Sequence, residues 1–526
     1  MGLPDKNSQG VEVVLRNIPA SFLVGLISVL LASQLLGLAS YPQPIILPVI
    51  FAGAVLLYSK SIRIFGVLLI IGCFDYYLSS SIVDFSSDGV TYHHYAHTLI
   101  SQNGFIPVIP NLDIRISANP TLPWLIASIP QMVLAFVADI ENLTINSFGK
   151  LTCSFVLFLY ALGSLLDRGK LKRCAVAAII AFPAIFSSQL FSGYTDYFTY
   201  WAVSLFICSI FFMLTSPLRA SHFEVACLSG CVLSVMKFQT MFFLLIASPV
   251  LIYILVLHRR KITEEIRNNS YTLGAVFFTT ILISIIYFFS NFYHHGSLSP
   301  ITSVNGAGNI LFDNAFYRDT PRYLHFWHSL FSTPMLNPDG HQITMSLPNS
   351  KAQILQYGFP DLRFGAYGPF FPALFILFVG LFLYLKKTRF PMIYILALAL
   401  LLPGIGVARY YSFVQAFIPI GCLFVYYRKI RWESIVIFAA LASSVIVFVG
   451  SILAYRDNMN SFVDFTDSIK NEEGYFLFGG RSYYVGVIKE RTGQDLSLLP
   501  KNAGATCDSI KRFYKVSLHD EILVCR

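Results

Sequence analysis

Apolar stretches of about 17–25 residues recur along most of this 526-residue chain, and each is long enough to cross a bilayer core as one helix. Only 12% of the residues are charged and 55% are hydrophobic, where a soluble domain carries roughly 25% charge. The expected class is therefore an all-α polytopic membrane protein. Met1 to Ala20 is polar, and the apolar run after it lacks a convincing cleavage site, so no cleavable signal peptide is expected.

The net charge of +9 raises nucleic-acid binding, which the pattern argues against. The basic residues are scattered over short loops between apolar runs, where they act as topology signals. The nine cysteines form no CxxC pair, which removes the common zinc-finger spacings. Cys153, Cys208 and Cys231 sit within apolar runs and read as small packing residues.

Placing every strong basic cluster on one side fixes a topology. Lys6 and Arg16 start inside. Spans then run over 20–39, 45–59, 62–80, 147–166, 174–191 and 197–214. A hairpin follows over 223–257, turning near Lys237. Further spans cover 271–291, 368–385, 390–407, 411–427 and 432–454. This gives about thirteen transmembrane helices. Segment 120–138 is apolar enough to span, but that would move Lys170 to Arg173 outside. It reads instead as a re-entrant or surface-lying helix, interrupted by Pro120, Pro123 and Pro130. The resulting organisation has an N-terminal cytoplasmic segment and added hairpin (1–60) and a transmembrane core (61–454). The core carries outer loops at 81–146 and 292–367, and a small extracytoplasmic tail domain (455–526) follows it. Cys507 and Cys525 are the two cysteines of that tail. An outside compartment permits disulfides, so they are expected to pair.

Polar chemistry concentrates on the outer side. Asp88 follows span three and precedes an expected amphipathic helix, 89–102. It reads either as a general base or as a helix N-cap. Tyr92 and Ala96 share its helical face. His93 and His97 are one turn apart, a spacing that admits a divalent metal, or simply packs aromatic rings at the interface. Asp196 stands at the outer end of a span, as a second carboxylate or as a cap. Lys237 and Arg409 are lone cations at outer turns. Each suits a lipid phosphate, and snorkelling is the alternative for Lys237. Loop 292–367 mixes Arg318, Arg322 and His325 with aromatic residues, a composition shared by sugar sites and by plain structural lids.

The order of these motifs resembles the GT-C superfamily of integral-membrane glycosyltransferases. Asp88, Tyr92 and Ala96 resemble that family's acidic motif in the first large outer loop. Asn119 to Trp124 is similar to its Pro-rich aromatic segment, and Asp167 to Arg173 to its basic cytoplasmic turn. Gly193 to Asp196 resembles its second acidic motif, Met236 to Gln239 its short Lys-bearing turn, and Arg409 with Tyr410 its later Arg-Tyr pair. Gly89 stands where the family usually has a second acidic residue, which leaves Asp88 as the base.

The resemblance implies transfer of a sugar from a polyprenyl-phosphate donor on the extracytoplasmic face. The implied acceptor is a glycan such as lipopolysaccharide O-antigen, and glucose is the expected sugar. Asp88 would deprotonate the acceptor hydroxyl, with inversion at the anomeric carbon. Lys237, Arg409 and Tyr410 would hold the donor, with Asp196, Tyr92, Arg318, Arg322 and His325 around the substrates. The setting would be a bacterial inner membrane. Two rivals remain. An O-antigen polymerase or ligase would lean on Arg318, Arg322 and Arg363. A transporter or flippase of lipid-linked sugars would need charges deep in helices, and Asp75 is its best candidate.

Overall fold

The computed structural model describes residues 6–79, 82–86, 93–107, 116, 121–129, 149–165, 169–192, 195–215, 220–236, 238–257, 259–268, 270–295, 321, 327, 368–386, 389, 392–394, 396, 412–470, 476–478, 482–493, 497–499, 510–514 and 521–525. Among these the chain is predominantly helical. Four described helices are long and apolar enough to cross a membrane, with spans at Asn17–Ala39, Ile62–Ser79, Asp196–Thr215 and Glu433–Ile469.

The first three helices are α1 (Lys6–Ala39), α2 (Ile46–Ser59) and α3 (Ile62–Ser79). Ser40 is left-handed at the end of α1, and Pro42 and Pro44 follow it, so the helix cannot continue. Lys60 takes the same left-handed conformation after α2, and its N–H caps the Leu56 carbonyl. Next come α4 (His94–Asn103) and α5 (Lys150–Ser164). Residues 122–129 form a short helix that is buried along its whole length. The rest of the 120–138 segment lies outside the described residues, apart from residue 121.

The expected continuous span 174–191 is broken in two. Helix α6 covers Lys170–Ala181 and α7 covers Ala184–Gln189. The cause is Pro183, which has no N–H and breaks the ladder. A break leaves carbonyls of the preceding turn without helical donors. Two tyrosines of α8 (Asp196–Thr215) fill that need. The Tyr200 hydroxyl donates to the Ile180 carbonyl at 2.8 Å, and Tyr197 donates to the Ala181 carbonyl at 3.1 Å. Helix α8 is central: 67% of its apolar window is buried, against 22% for α3 at the rim.

Helices α9 (Ala220–Ser234) and α10 (Phe238–Leu257) form the expected hairpin around position 237. A short polar helix, α11 (Arg259–Asn268), leads to α12 (Ser270–His295). Then follow α13 (Phe371–Tyr384), α14 (Ser412–Gln415), α15 (Phe417–Arg428) and α16 (Glu433–Ile469). Helices α13 and α15 touch where Gly421 meets the Phe378 ring, so closely that a Cβ would overlap it.

Helix α16 was expected to end near 454. It continues to Ile469, 37 residues in all, or about 55 Å at the standard rise, against a bilayer core of about 30 Å. The extension has its own apolar stripe of Phe462, Phe465 and Ile469, all buried, at i, i+3 and i+7. It packs against α17 (Ser482–Thr492) through Tyr484, Val487 and Ile488.

The tail also departs from the all-α expectation. Strands β1 (Phe476–Phe478), β2 (Ser497–Leu499), β3 (Ile510–Tyr514) and β4 (Glu521–Cys525) form a sheet in the order β2-β1-β4-β3. Strands β1 and β2 are parallel, with α17 as their crossover. Strand β4 runs antiparallel to both β1 and β3, pairing Phe476 and Ile510 with Cys525. These strands are three to five residues long and too brief to stand out as periodic runs. Cys507 and the Cys525 side chain lie outside the described residues, as does their expected bond.

Candidate functional site

Buried Asp75, Lys150 and Asp196 gather where α3 ends and α5, α8 begin. Asp75 lies on the last turn of α3 and is fully buried. Its Oδ2 accepts the Thr152 backbone N–H at 2.8 Å and the Thr152 hydroxyl at 2.7 Å. The Ser79 hydroxyl donates to Oδ1 at 3.2 Å. Thr152 is the third residue of α5, so its N–H has no partner within its own helix. Asp75 therefore caps α5 from another helix, with its negative charge at the positive end of the dipole.

Lys150 opens α5 and is 1% exposed. A cation at a helix N-terminus is disfavoured by the dipole, and burial makes it costlier. The surroundings answer both costs. Lys150 Nζ donates to the Gln189 carbonyl at 2.6 Å and to the Ser192 carbonyl. Those carbonyls close the end of α7, where a cation is welcome. Asp84, Asp196 and Asp75 all lie within electrostatic range of the ammonium.

Asp196 is the first residue of α8, buried, and receives Gln189 Nε2 at 3.3 Å. Gln189 Oε1 in turn accepts the Tyr197 N–H at 2.9 Å. The Tyr197 hydroxyl lies 2.6 Å from Ser154 Oγ on α5. Asp84 is also fully buried, and its Oδ1 accepts the Ser86 N–H at 2.7 Å. This is a local Asx-type turn that shapes the segment leading toward position 88.

His93 and His97 are both buried and face the 122–129 helix. Trp124 Nε1 donates to His93 Nδ1 at 2.8 Å, and His97 Nδ1 lies 3.2 Å from Ser128 Oγ. The imidazoles thus anchor α4 to that helix. Burial pushes His97 down to about 3, with the charges of His94 and Lys150 acting in the same direction. His97 is neutral at any ordinary pH. Among the described residues, no group of three His, Cys, Asp or Glu side chains is arranged to hold a metal.

At the far ends of α5, α6 and α16 the basic turns meet. Lys172 Nζ pairs with Glu433 Oε1 at 3.3 Å. Arg173 Nε donates to the Leu162 carbonyl at 2.6 Å, and the Tyr427 hydroxyl to the Ser164 carbonyl at 3.2 Å.

Of the candidate residues read from sequence, Asp196, His93 and His97 come to the same end of the bundle. Asp88, Tyr92, Lys237, Arg409, Tyr410, Arg318, Arg322, His325 and Arg363 lie outside the described residues. Asp84 joins the cluster as a buried, internally bonded carboxylate. Lys150 was not anticipated, although the signal was present: it is a lone cation opening an apolar run, as Lys237 is. Gln189 carried no such signal, since its role depends on the break at Pro183.

The arrangement is a buried polar platform in which Asp75, Lys150, Gln189 and Asp196 are each hydrogen-bonded from neighbouring segments. It fixes the ends of α3, α5, α7 and α8 relative to one another and to residues 82–86. Comparison with protein families, curated proteins and solved structures returns no match.

Proposed function

We propose that this chain is an integral-membrane glycosyltransferase that moves a sugar from a polyprenyl-phosphate donor to a glycan acceptor. The observation that carries the reading is the gathering of Asp75, Asp84, Asp196, Lys150 and His97 at one end of the bundle. The basic turns paired through Lys172 and Glu433 lie at the opposite ends of their helices. One polar end and one basic end fit an outer working face and a cytoplasmic face.

In this reading about thirteen helices cross a bacterial inner membrane, with the N-terminus cytoplasmic and the tail outside. Asp88, two residues past Ser86, takes the proton of the acceptor hydroxyl. The acceptor oxygen attacks the anomeric carbon from the face opposite the phosphate. The bond to the phosphate oxygen breaks, and polyprenyl phosphate leaves with the electron pair. Lys237 and Arg409 hold that developing charge. Lipopolysaccharide O-antigen as acceptor and glucose as donor sugar are the narrower form of the proposal. The transporter alternative rested on Asp75, whose carboxylate is engaged by Thr152 and Ser79.

The test is purified protein in liposomes with a labelled polyprenyl-phosphate sugar and a glycan acceptor. Acceptor labelling that requires the protein supports transfer. Movement of the lipid-linked sugar across the bilayer with no labelled acceptor favours the transporter.

A further inference from the structure

The tail makes a set of contacts that the transfer reading does not itself require. Tyr484, on α17, is fully buried, and its hydroxyl donates to the backbone carbonyl of Asp84 at 3.1 Å. Tyr455, on α16, accepts the Val83 N–H at 3.2 Å through its own hydroxyl. Phe85, the residue after Asp84, is 5% exposed and lies within the tail's hydrophobic cluster. Its ring lies 5.8 Å from that of Phe462 and 6.0 Å from that of Tyr455. The Phe462 ring lies 6.3 Å from that of Tyr484. On its other side Tyr455 stacks on Phe191 at 4.7 Å and 18°, next to the Ser192 carbonyl that receives Lys150.

An aromatic column therefore runs from the α7–α8 turn, through residues 83–85, into the tail. Residues 82–86 lie between α3 and the expected outer loop in the chain. Here the Val83 N–H and the Asp84 carbonyl are held by residues roughly 370 and 400 positions away. The side chain of Phe85 is turned into the tail while Asp84 is within range of Lys150. That alternation lets one short segment serve both neighbours.

We propose that the tail is the positioning element of the acidic loop, with Tyr484 and Tyr455 as positioning residues and Phe85 as the plug in the same cluster. The functional half rests on the transfer reading. A base must be held to within about half an ångström to act, and Asp88 follows Ser86 by two residues. The tail would then control turnover without touching substrate.

The experiment uses the full chain in liposomes, with two readouts. Hydrogen exchange at residues 82–86 reports the clamp whether or not the protein is an enzyme. Losing one hydrogen bond in Tyr484→Phe should speed exchange there about two- to tenfold, with exchange in α5 unchanged. Phe85→Ala should speed it further, and Phe85→Leu should restore part of the protection. In the transfer assay, Tyr484→Phe should lower kcat and leave the donor KM near wild type, while Asp464→Asn on the exposed α16 surface changes neither. Unchanged exchange in both Tyr484→Phe and Phe85→Ala overturns the clamp. Faster exchange with unchanged kcat overturns the positioning role. A wild-type protein that transfers no sugar defeats the transfer reading instead, and the exchange result still decides the clamp.

Discussion

Asp75 Oδ2 binds both the backbone N–H and the hydroxyl of Thr152, 77 residues later, and so starts helix α5 from the end of helix α3. A cap supplied in cis is common; one supplied across helices also fixes their relative height. Removing it exposes an N–H with no water to replace the lost partner. Asp75→Ala is expected to cost about 1–3 kcal/mol, and Asp75→Asn less, since one carboxamide oxygen remains. Thermal midpoints in detergent check this. Equal stability in Asp75→Ala and wild type would remove the capping role.

Lys150 is expected to be the costliest single residue to replace at this end. Lys150→Met leaves the buried Gln189 and Ser192 carbonyls without their donor and removes the cation within range of Asp84 and Asp196, and each buried polar group left unpaired costs about 1–3 kcal/mol. Adding Asp84→Asn should recover part of that loss, because the orphaned charge goes with it. A double-mutant cycle on thermal midpoints reads the coupling. Additive losses would show that the two side chains do not act on one another.

The pH dependence of stability should carry a His97 signature. Its folded-state pKa is lowered to about 3 by burial, while an unfolded histidine titrates near 6.5. Below pH ~6.5 the unfolded chain therefore takes up a proton that the native chain does not. Stability is fully present above that pH and falls as pH drops toward 3. Between pH 6 and pH 4 the loss from this one group is roughly 2–3 kcal/mol. His97→Asn, which can still bond Ser128, should flatten the wild-type slope over that interval. An identical slope in the variant would mean that His97 is protonated in the native state.

Gly421 offers a packing test away from the polar end. A methyl at this position overlaps the Phe378 ring, and overpacking of this kind costs about 1–3 kcal/mol. Gly421→Ala should be destabilising alone and largely repaired by Phe378→Leu. Failure of the second change to help would indicate that the α13–α15 contact can relax by itself.

Helix ends marked by a charge, or by prolines beyond the apolar run, were legible from sequence. Expected spans 45–59 and 62–80 correspond to α2 at Ile46–Ser59 and α3 at Ile62–Ser79, because Lys60 and Arg63 interrupt the apolar run between them. The break at Pro183 was read through, since hydropathy stays high on both sides. It becomes visible only with Tyr197 and Tyr200, which supply the missing donors. The extension of α16 was missed for a related reason: beyond 454 its stripe is matched to the tail, not to lipid. At the site, residue types were legible but partnerships were not. Asp196, His93 and His97 could be singled out as polar groups at helix ends. That Asp75 caps α5, or that Asp84 and Phe85 face opposite neighbours, depends on contacts between segments far apart in the chain.

The measurement closest to the central claim is sugar transfer by two isosteric variants in liposomes. Asp84 is buried and bonded within the platform, so Asp84→Asn should lower stability while transfer per folded molecule stays close to wild type. Asp88→Asn keeps size but takes no proton at neutral pH, and general-base help is worth about 10²–10⁴-fold. It should fold, insert and lose transfer by that factor. Transfer near the wild-type rate in Asp88→Asn, or a loss confined to Asp84→Asn, contradicts Asp88 as the base.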